Sequence, residues 1–307
     1  MKIVAIVNPV AGFRRAPQTW PELVNQAGAQ VPQIVTWWTK GPGHAEFLAA
    51  QAKRLGFERI LAVGGDGTIF EVVNGLWWEP EGRLPSLGIV PFGTGCDYVR
   101  NFEIGSHRFA NLLNALGETT FTVDAAVFRV RDRRGKSISR VSLNFLGAGF
   151  DAQIIARYQR QNIPLRGKLP YFLSGFQELC KLKHFRWVGE IDGNTLEGRS
   201  LIFVGGFGRY FGGGMMISPS ASPQSGRLQL VWDQQLTRLS LLLLLSKIYN
   251  GRHLSHPQLF TRFASKLNLV TEPPVPVESD GELIGWTPLD VEVCLHAFQV
   301  AAAEIRF

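Results

Sequence analysis

The turn Gly64-Gly65-Asp66-Gly67-Thr68 follows an apolar strand predicted over residues 59–63 and precedes a helix predicted over residues 68–77. Glycines let a backbone approach a ligand closely and adopt positive φ angles. The amide groups at the start of a helix point outward and attract anions, which favours a bound phosphate. A carboxylate in such a turn would repel a phosphate unless it held a metal ion or a metal-bound water, and we predict this role for Asp66. The segment by itself is equally compatible with a tight turn capped by an aspartate.

The same arrangement recurs at the next predicted strand, residues 87–91, which runs into the turn Gly93-Thr94-Gly95-Cys96-Asp97. A third and weaker turn, Asn8-Pro9-Val10-Ala11-Gly12, ends the first predicted strand, residues 2–8. Alternating strands and helices predict parallel strands, and ligands bind at the carboxyl ends of such strands. The two glycine turns therefore predict one phosphate site. The Gly-x-x-x-x-Gly-Lys-Ser/Thr loop and the strand-to-helix Gly-x-Gly-x-x-Gly turn are both missing, so the site is of another type.

The remaining sequence shows two patterns. In the first third we predict a further strand over residues 33–39 and helices over residues 20–26, 44–55 and 109–116. From about residue 121 the strands come in pairs joined by polar or glycine turns, which is typical of an antiparallel domain. The strands predicted there are 126–131, 139–145, 185–191, 196–204, 228–232, 266–271 and 291–300, and the helices are 151–160, 171–182 and 236–249.

The predicted fold class is therefore α/β plus mainly-β. A doubly wound nucleotide-binding α/β domain occupies residues 1–124, and an antiparallel, β-rich, sandwich-like domain occupies residues 125–295. We expect the tail, residues 296–307, to pack on the first domain.

Composition narrows the class of partner. The 307 residues are 45% hydrophobic and 19% charged, which excludes a disordered chain. A net charge of +7 and a sequence pI of about 9.5 favour an anionic partner, which is a nucleic acid, a phosphorylated ligand or an acidic membrane surface. A basic run between Arg129 and Arg140 is typical of a solvated hairpin tip.

Cellular location and membrane contact have weaker signals. Cys96, Cys180 and Cys294 lack metal-ligand spacing and indicate reduced thiols in a cytoplasmic protein, and no signal peptide is predicted. The apolar run Leu239–Leu245 is far shorter than the ~20 residues of a membrane span. It predicts a helix that is buried or partly membrane-facing, with burial favoured.

An ordered series of further motifs accompanies the glycine turns. It comprises Asn8-Pro9, Thr39, Gly43-His44-Ala45, Glu71, Asn74-Gly75, Asp124, Asn144, Gly147, Gly149-Phe150-Asp151-Ala152, Gly212-Gly213-Gly214-Met215, Ile217-Ser218-Pro219, Gly251-Arg252-His253 and Asp280-Gly281-Glu282. Through this series nearly the whole chain resembles the diacylglycerol kinase catalytic-domain family, which includes bacterial YegS-like lipid kinases and the sphingosine and ceramide kinases. NAD kinases share only the Gly-Gly-Asp-Gly turn.

The resemblance implies an enzyme that uses ATP and Mg²⁺ in lipid metabolism. The positions that match the ATP site are Asn8, Thr39, Gly64, Gly65, Asp66, Gly67, Thr68, Glu71, Gly93 and Thr94. Asp66 would organise the catalytic Mg²⁺, assisted through water by Asp97 and Asp124. Glu282 is the expected proton acceptor for the lipid hydroxyl, with Asp280 as the alternative. Without the resemblance, Asp280-Gly281 would be taken for an exposed hairpin turn.

Two departures from the family pattern stand out. Cys96 occupies a position where family members usually carry asparagine. Bacterial relatives often hold a structural Mg²⁺ in an Asp-Gly-x-Leu-Asp loop, and here the corresponding run is Ser225-Gly226-Arg227-Leu228-Gln229. Both acids are missing and a positive charge is added, so we predict that this accessory metal site is absent.

The expected function is ATP-dependent phosphorylation of a hydroxyl on a diacylglycerol-like or sphingoid-like lipid. The alternatives are a kinase of a soluble hydroxyl substrate such as NAD, and a catalytically weak nucleotide-binding regulator. We expect the protein to dock peripherally on anionic lipid at the inner face of the membrane, without a transmembrane segment and without nucleic acid. The sequence does not specify the acceptor lipid or the oligomeric state.

Overall fold

The computed structural model describes residues 1–28, 31, 33–93, 95–103, 105, 107–160 and 183–306. Thr94, Cys180 and the helix predicted over residues 171–182 lie outside these ranges. The chain forms two compact units. The first unit contains residues 1–125, 222–224 and 295–307, and the second contains residues 126–221 and 225–294.

A parallel sheet forms the centre of the first unit. Its strands are β1 (Ile3–Val7), β2 (Ile34–Trp38), β3 (Arg59–Gly64) and β4 (Ser86–Pro91). They lie in the order β2-β1-β3-β4, and Val300 and Ala301, near the C terminus, pair in parallel with β4. The helices are α1 (Ala11–Arg14), α2 (Ala16–Ala27), α3 (His44–Arg54), α4 (Asp66–Trp78) and α5 (Arg108–Leu116).

The burial of the first unit follows from its sequence. All residues of β1 and β3 are buried, as expected for parallel strands covered by helices. One core cluster joins these strands to α2 and α5 through Val7, Trp20, Val63 and Leu112. This core fixes the carboxyl ends of the strands, where the glycine turns begin.

The second unit is antiparallel. Its strands are β5 (Thr120–Arg131, which begins in the first unit), β6 (Ser137–Ser142), β7 (Phe145–Gly149), β8 (Phe185–Ile191), β9 (Asn194–Ser200), β10 (Ile202–Gly206), β11 (Leu228–Asp233), β12 (Leu259–Ala264), β13 (Lys266–Glu272), β14 (Pro276–Ser279) and β15 (Glu282–Ala301, which ends in the first unit). The order β12-β11-β10-β7-β14-β15 forms one path, and β13 pairs with β15 and β8. The α-helices among the described residues of this unit are α6 (Phe150–Arg160) and α7 (Arg238–Ile248). The predicted fold class is confirmed.

Several predicted boundaries were wrong. The strand predicted over residues 139–145 is two strands, β6 and β7, and the strand predicted over residues 196–204 is also two, β9 and β10. Strands β12 and β14 were not predicted, and β15 begins nine residues earlier than expected, at Glu282 rather than residue 291. Glycines obscured β7, because Phe145–Gly149 carries two of them and glycine has a low preference for strands.

No helix among the described residues is long and apolar enough to cross a bilayer.

Candidate active site

The two glycine turns of the first unit pack backbone against backbone. The amides of Phe92 and Gly93 both donate to the Gly64 carbonyl, at 2.8 and 3.1 Å. A Cβ added to Gly93 would lie 2.6 Å from Cα of Gly65, so this position requires glycine. The turns that follow β3 and β4 therefore form one structural element, and the phosphate site expected there stays a prediction.

Asp66 joins the two turns through its side chain. Its Oδ2 accepts the amide of Asp97 at 3.0 Å, and its Oδ1 accepts the amide of Tyr98 at 3.2 Å. Burial, with a further contribution from the negative charge of Asp97, raises the pKa of Asp66 to about 6. The Asp66 carboxylate therefore holds the two turns together through these hydrogen bonds, whether or not it also binds a ligand.

A second carboxylate lies next to Asp66. A Cβ added to Gly95 would lie 3.1 Å from Asp66 Oδ2 and 3.9 Å from Asp97 Oδ2, so both oxygens converge on this glycine. Asp97 is almost fully buried, and its Oδ1 pairs with Arg100 Nε at 3.2 Å. Two buried carboxylates of like charge in one place create a local negative potential that favours a cation.

The donor set at this point fits Mg²⁺, which proteins usually hold with one or two carboxylates together with substrate phosphates. The residues that would hold it are Asp66 and Asp97. No group of three or more His, Cys, Asp or Glu side chains among the described residues is arranged as a metal site. The Asp124 carboxylate accepts the amide of His296 at 2.9 Å, so its role at the metal stays a prediction.

The ends of β1 and β2 supply further predicted residues. Asn8 donates through Nδ2 to the Thr68 hydroxyl at 3.2 Å, which links the end of β1 to the first turn of α4. The Asn8 Oδ1 accepts the amide of Val10 at 3.1 Å. Thr39 is buried after β2, and its amide donates to the Val7 carbonyl at 2.9 Å. Gly67 lies in the first turn of α4 between Asp66 and Thr68.

Glu71 has a contact that the sequence did not reveal. From α4 its carboxylate accepts the amides of Gly43 at 2.8 Å and Ala45 at 3.0 Å, at the beginning of α3. A carboxylate stabilises a helix start by satisfying amides that have no partner within the helix. Glu71 therefore holds the loop after β2 against α4.

Cys96 adopts a left-handed backbone conformation, with a φ of 49°. Asparagine tolerates this conformation better than most residues, which gives a physical reason for the family preference at this position. The Cys96 Sγ lies 3.6 Å from the Gly64 carbonyl and 3.5 Å from the Gly93 carbonyl. Burial raises the pKa of this thiol to about 12, so it is neutral at physiological pH.

In the second unit, the acidic hairpin connects β14 to β15. Its turn residues Asp280 and Gly281 have φ angles of 51° and 87°, which is typical of a tight two-residue hairpin. The Asp280 carboxylate accepts the Phe145 amide at 3.1 Å and the Ser142 hydroxyl at 3.0 Å. Glu282 is exposed. Of the two predicted candidates for the base, the Asp280 carboxylate accepts two hydrogen bonds and is half-buried, whereas Glu282 is exposed; the choice between them stays a prediction.

Two further carboxyl groups meet beside this hairpin. A Cβ added to Gly147 would clash with Asp151 Oδ2 and lie 2.8 Å from Glu278 Oε1, so both side chains occupy the space above this glycine. The Asp151 oxygens and Glu278 Oε1 are buried and have no hydrogen-bond donor among the described residues. Glu278 Oε2 accepts the amide of Gly281 at 2.9 Å and so fixes the hairpin turn.

The chemistry of this pair follows from its burial. Two ionised carboxylates cannot share a dry site, whereas one proton between them satisfies both. Burial raises the pKa of Asp151 to about 6, and burial together with the negative charge of Asp151 raises the pKa of Glu278 well above its usual value. Glu278 was not predicted as a site residue, because the short strand that buries it, Pro276–Ser279, was not predicted either.

The loop expected to lack the accessory metal is closed by uncharged contacts. The Ser225 hydroxyl donates to the Arg227 carbonyl at 2.7 Å. Gln229 is buried; its Oε1 accepts the amide of Ser220 at 2.9 Å and its Nε2 donates to the Thr261 hydroxyl at 3.2 Å. The absence of the accessory metal stays a prediction.

Two family models match the chain. The diacylglycerol kinase catalytic domain matches residues 2–128, and the YegS C-terminal NAD kinase beta sandwich-like domain matches residues 144–302. Among curated proteins, a diacylglycerol kinase of Staphylococcus haemolyticus is 25% identical over 296 residues, covering 94% of this chain and 86% of that protein. A Bacillus subtilis protein named "Putative lipid kinase YtlR" is 28% identical over 295 residues, covering 92% and 94%.

Solved structures of related proteins are also similar to this chain. A solved structure described as a putative diacylglycerol kinase from Bacillus anthracis superposes with a TM-score of 0.77 at 26% identity, covering 98% of this chain and 97% of that chain. Yeast NADH kinase in complex with NADH superposes with a TM-score of 0.52 at 12% identity, covering 98% and 82%, and this likeness concerns the fold alone.

Proposed function

Because this chain belongs to the YegS-like diacylglycerol kinase family, we propose that it transfers the γ-phosphoryl group of ATP to the hydroxyl of a diacylglycerol-like or sphingoid-like lipid. Family membership makes it a kinase of the lipid-kinase class. The observation that carries the ATP-dependent step is the pair of interlocked glycine turns at the ends of β3 and β4, joined by the Asp66 carboxylate.

The first unit would bind the nucleotide. Backbone amides at glycine turns and at the start of α4 suit a polyphosphate, since they bring positive partial charge without bulk. Mg²⁺ held by Asp66 and Asp97 would neutralise charge on the phosphate oxygens. Asn8 stabilises this surface through its hydrogen bond to Thr68, and Glu71 stabilises it through its hydrogen bond to the start of α3.

The second unit would supply the base. In the transfer, the lipid oxygen forms a bond to the γ-phosphorus, the bond from phosphorus to the ADP oxygen breaks, and the hydroxyl proton passes to a carboxylate. Glu282 is the candidate acceptor because its side chain is exposed. Asp280 supports it by holding the turn through Ser142 and the Phe145 amide.

A phosphorylation assay with labelled ATP and Mg²⁺, run on a panel of diacylglycerols, sphingoid bases and NAD, tests this proposal. Since a positioned base contributes about 10²–10⁴-fold, Glu282→Gln is expected to lower kcat at least about 100-fold with little change in KM. Asp66→Ala is expected to abolish nucleotide binding. The matched control Glu272→Gln changes an exposed glutamate of β13 and is expected to keep the wild-type rate.

Other outcomes separate the alternatives. Transfer to NAD without transfer to any lipid would replace the proposal with a soluble-substrate kinase. ATP binding without transfer to any acceptor would indicate a nucleotide-binding regulator. A wild-type rate for Glu282→Gln would remove this residue from the reaction.

A further inference from the structure

Helix α7 has two apolar faces. Leu241, Leu244 and Ile248 are buried, and two of them join a core cluster with Leu201 and Leu236. This face accounts for the packing of the helix on the second unit. The opposite face is also made of leucines, which core packing does not explain.

The outer leucine face consists of Leu239, Leu242 and Leu243, whose exposed fractions are 65%, 39% and 65%. Residues three and four apart lie side by side on a helix, so these leucines form one continuous patch. Tyr249 follows the end of the helix with 57% of its surface exposed. Single exposed leucines are ordinary, but a clustered apolar patch indicates a contact surface.

The charges around this face have one sign. Arg238 and Lys247 are exposed on α7, and Arg252 is exposed just beyond it. The sequence has no acidic residue between Asp233, which is buried, and Glu272. An apolar helix face flanked by basic side chains is typical of a helix that lies in the plane of an anionic bilayer surface.

A second copy of the chain fits this surface poorly. In a symmetric pair the same patch meets itself, so the basic residues Arg238 and Lys247 would approach their own copies. The segment contains no acid to neutralise them. Lipid phosphates of an anionic bilayer would supply the complementary negative charge.

We propose that the outer leucine face is the membrane-contact surface of the protein, where Leu239, Leu242 and Leu243 insert into an anionic bilayer and Arg238 and Lys247 contact its headgroups. This inference rests on the proposed function, because a lipid acceptor dissolved in a bilayer requires the enzyme to reach that bilayer. It adds the surface that makes the contact.

Sedimentation with vesicles of phosphatidylcholine and phosphatidylglycerol, without nucleotide, tests the apolar part. The double variant Leu239→Ser/Leu243→Ser is expected to bind at least about tenfold more weakly, since two large apolar side chains no longer leave water. The matched control Leu55→Ser/Leu113→Ser changes two exposed leucines of the first unit, with exposed fractions of 50% and 40%, and is expected to bind within about twofold of wild type.

A second variant, with its own control, tests the basic residues beside the outer leucine face. Arg238→Glu/Lys247→Glu is expected to weaken binding to anionic vesicles at least about tenfold, because basic residues near such a surface are attracted to its lipid phosphates and acidic ones are repelled. Arg134→Glu/Lys136→Glu makes the same change in net charge at the exposed hairpin tip and is expected to have a smaller effect. Wild-type binding is expected to fall as salt rises from about 0.1 to 0.5 M, through screening.

A variant that gains membrane binding is informative because misfolding of a variant would not be expected to tighten its binding. Ser246 is exposed on α7 one turn beyond Leu242, and Ser246→Trp is expected to tighten binding, because indole side chains favour the membrane interface. Unchanged binding in both Leu239→Ser/Leu243→Ser and Ser246→Trp would overturn the proposal. So would a wild-type dimer that Leu239→Ser/Leu243→Ser converts to a monomer, since the face would then be a subunit interface.

Phosphorylation of a short-chain diacylglycerol dissolved in detergent separates this inference from the proposed function. The leucine variant is expected to keep the wild-type rate on that substrate while losing activity on vesicles. If wild type phosphorylates neither form, the proposed function fails, whereas the vesicle-binding comparison still decides the surface.

Discussion

At the scale of single residues, several buried carboxyl groups have pKa values raised above their usual range. Asp66 lies between the two glycine turns, and Asp151 and Glu278 face each other above Gly147. In each case, burial is the first cause of the raised pKa and a neighbouring carboxylate adds to it or shares a proton. Carboxyl groups whose pKa is raised by burial and by a neighbouring charge are common at functional sites.

The Asp151–Glu278 pair predicts a pH dependence of stability. The pKa of both groups is raised on folding, so the folded protein binds more protons than the unfolded chain in the acidic range. The stability that these protons provide is present below pH ~4, where the unfolded carboxyls are protonated, and is lost as the pH rises through about 6, the pKa of Asp151. Glu278→Gln removes one ionisable group and is expected to stabilise the protein by about 1–3 kcal/mol more at pH 8 than at pH 5, as measured by urea unfolding.

Glu272→Gln serves as the control for this prediction, because Glu272 is exposed. Its effect is expected to be the same at both pH values. An equal effect of Glu278→Gln at pH 5 and pH 8 would show that the two carboxyls do not share a proton.

At the level of elements, α4 organises the first unit. Its first residue, Asp66, connects the two glycine turns, and the Thr68 hydroxyl accepts a hydrogen bond from the Asn8 side chain. The Glu71 carboxylate accepts a backbone amide at the start of α3. One helix thus connects the ends of β1, β2 and β3 into one surface.

Glu71 carries the prediction at this scale. Glu71→Ala leaves the amides of Gly43 and Ala45 without their acceptors and is expected to cost about 1–3 kcal/mol of unfolding free energy. Glu71→Gln keeps one acceptor and is expected to cost less. Hydrogen exchange at the first turn of α3 checks the location, and protection equal to wild type in Glu71→Ala would contradict the capping role.

Element α7 shows why a leucine-rich run is ambiguous. The run Leu241–Leu245 has no periodicity, so it did not specify which face would be buried. The structure buries Leu241 and Leu244 and exposes Leu242 and Leu243. The sequence predicted a helix that is buried or partly membrane-facing, with burial favoured; the structure buries one face and exposes the other, and the membrane contact stays a prediction.

At the level of the whole molecule, the two units have separate tasks in the proposed reaction. The first unit carries the glycine turns and the paired aspartates, and the second carries the acidic hairpin. Because a ligand stabilises the part of a protein that binds it, ATP with Mg²⁺ is expected to protect the amides of α4 and the turn after β4 more than those of the second unit.

Hydrogen exchange with and without ATP and Mg²⁺ measures this protection. At a ligand concentration 100 times the Kd, stabilisation of about 2.7 kcal/mol is expected, and chelation of Mg²⁺ by EDTA is expected to remove most of it. Asp66→Ala is the variant that should show no protection. Protection confined to the second unit would place the nucleotide site elsewhere.

The sequence by itself determined the parallel first unit, the antiparallel second unit and the family. The two units follow from local periodicity and from glycine turns whose spacing is fixed along the chain, whereas the family follows from the resemblance of the ordered motif series. It also identified the candidate residues Asp66, Glu71, Asp97 and Glu282. Strand boundaries around Phe145–Gly149 were lost because its glycines serve close packing rather than a turn.

Only the tertiary structure showed what each carboxylate contacts. Asp66 accepts amides more than thirty residues away, at Asp97 and Tyr98, and Glu278 meets Asp151 from a strand 127 positions later in the chain. Likewise, it decided which leucines of α7 face the core. Hydrogen bonds and pKa values depend on neighbours brought together from distant parts of the chain, whereas a sequence pattern records only neighbours along it.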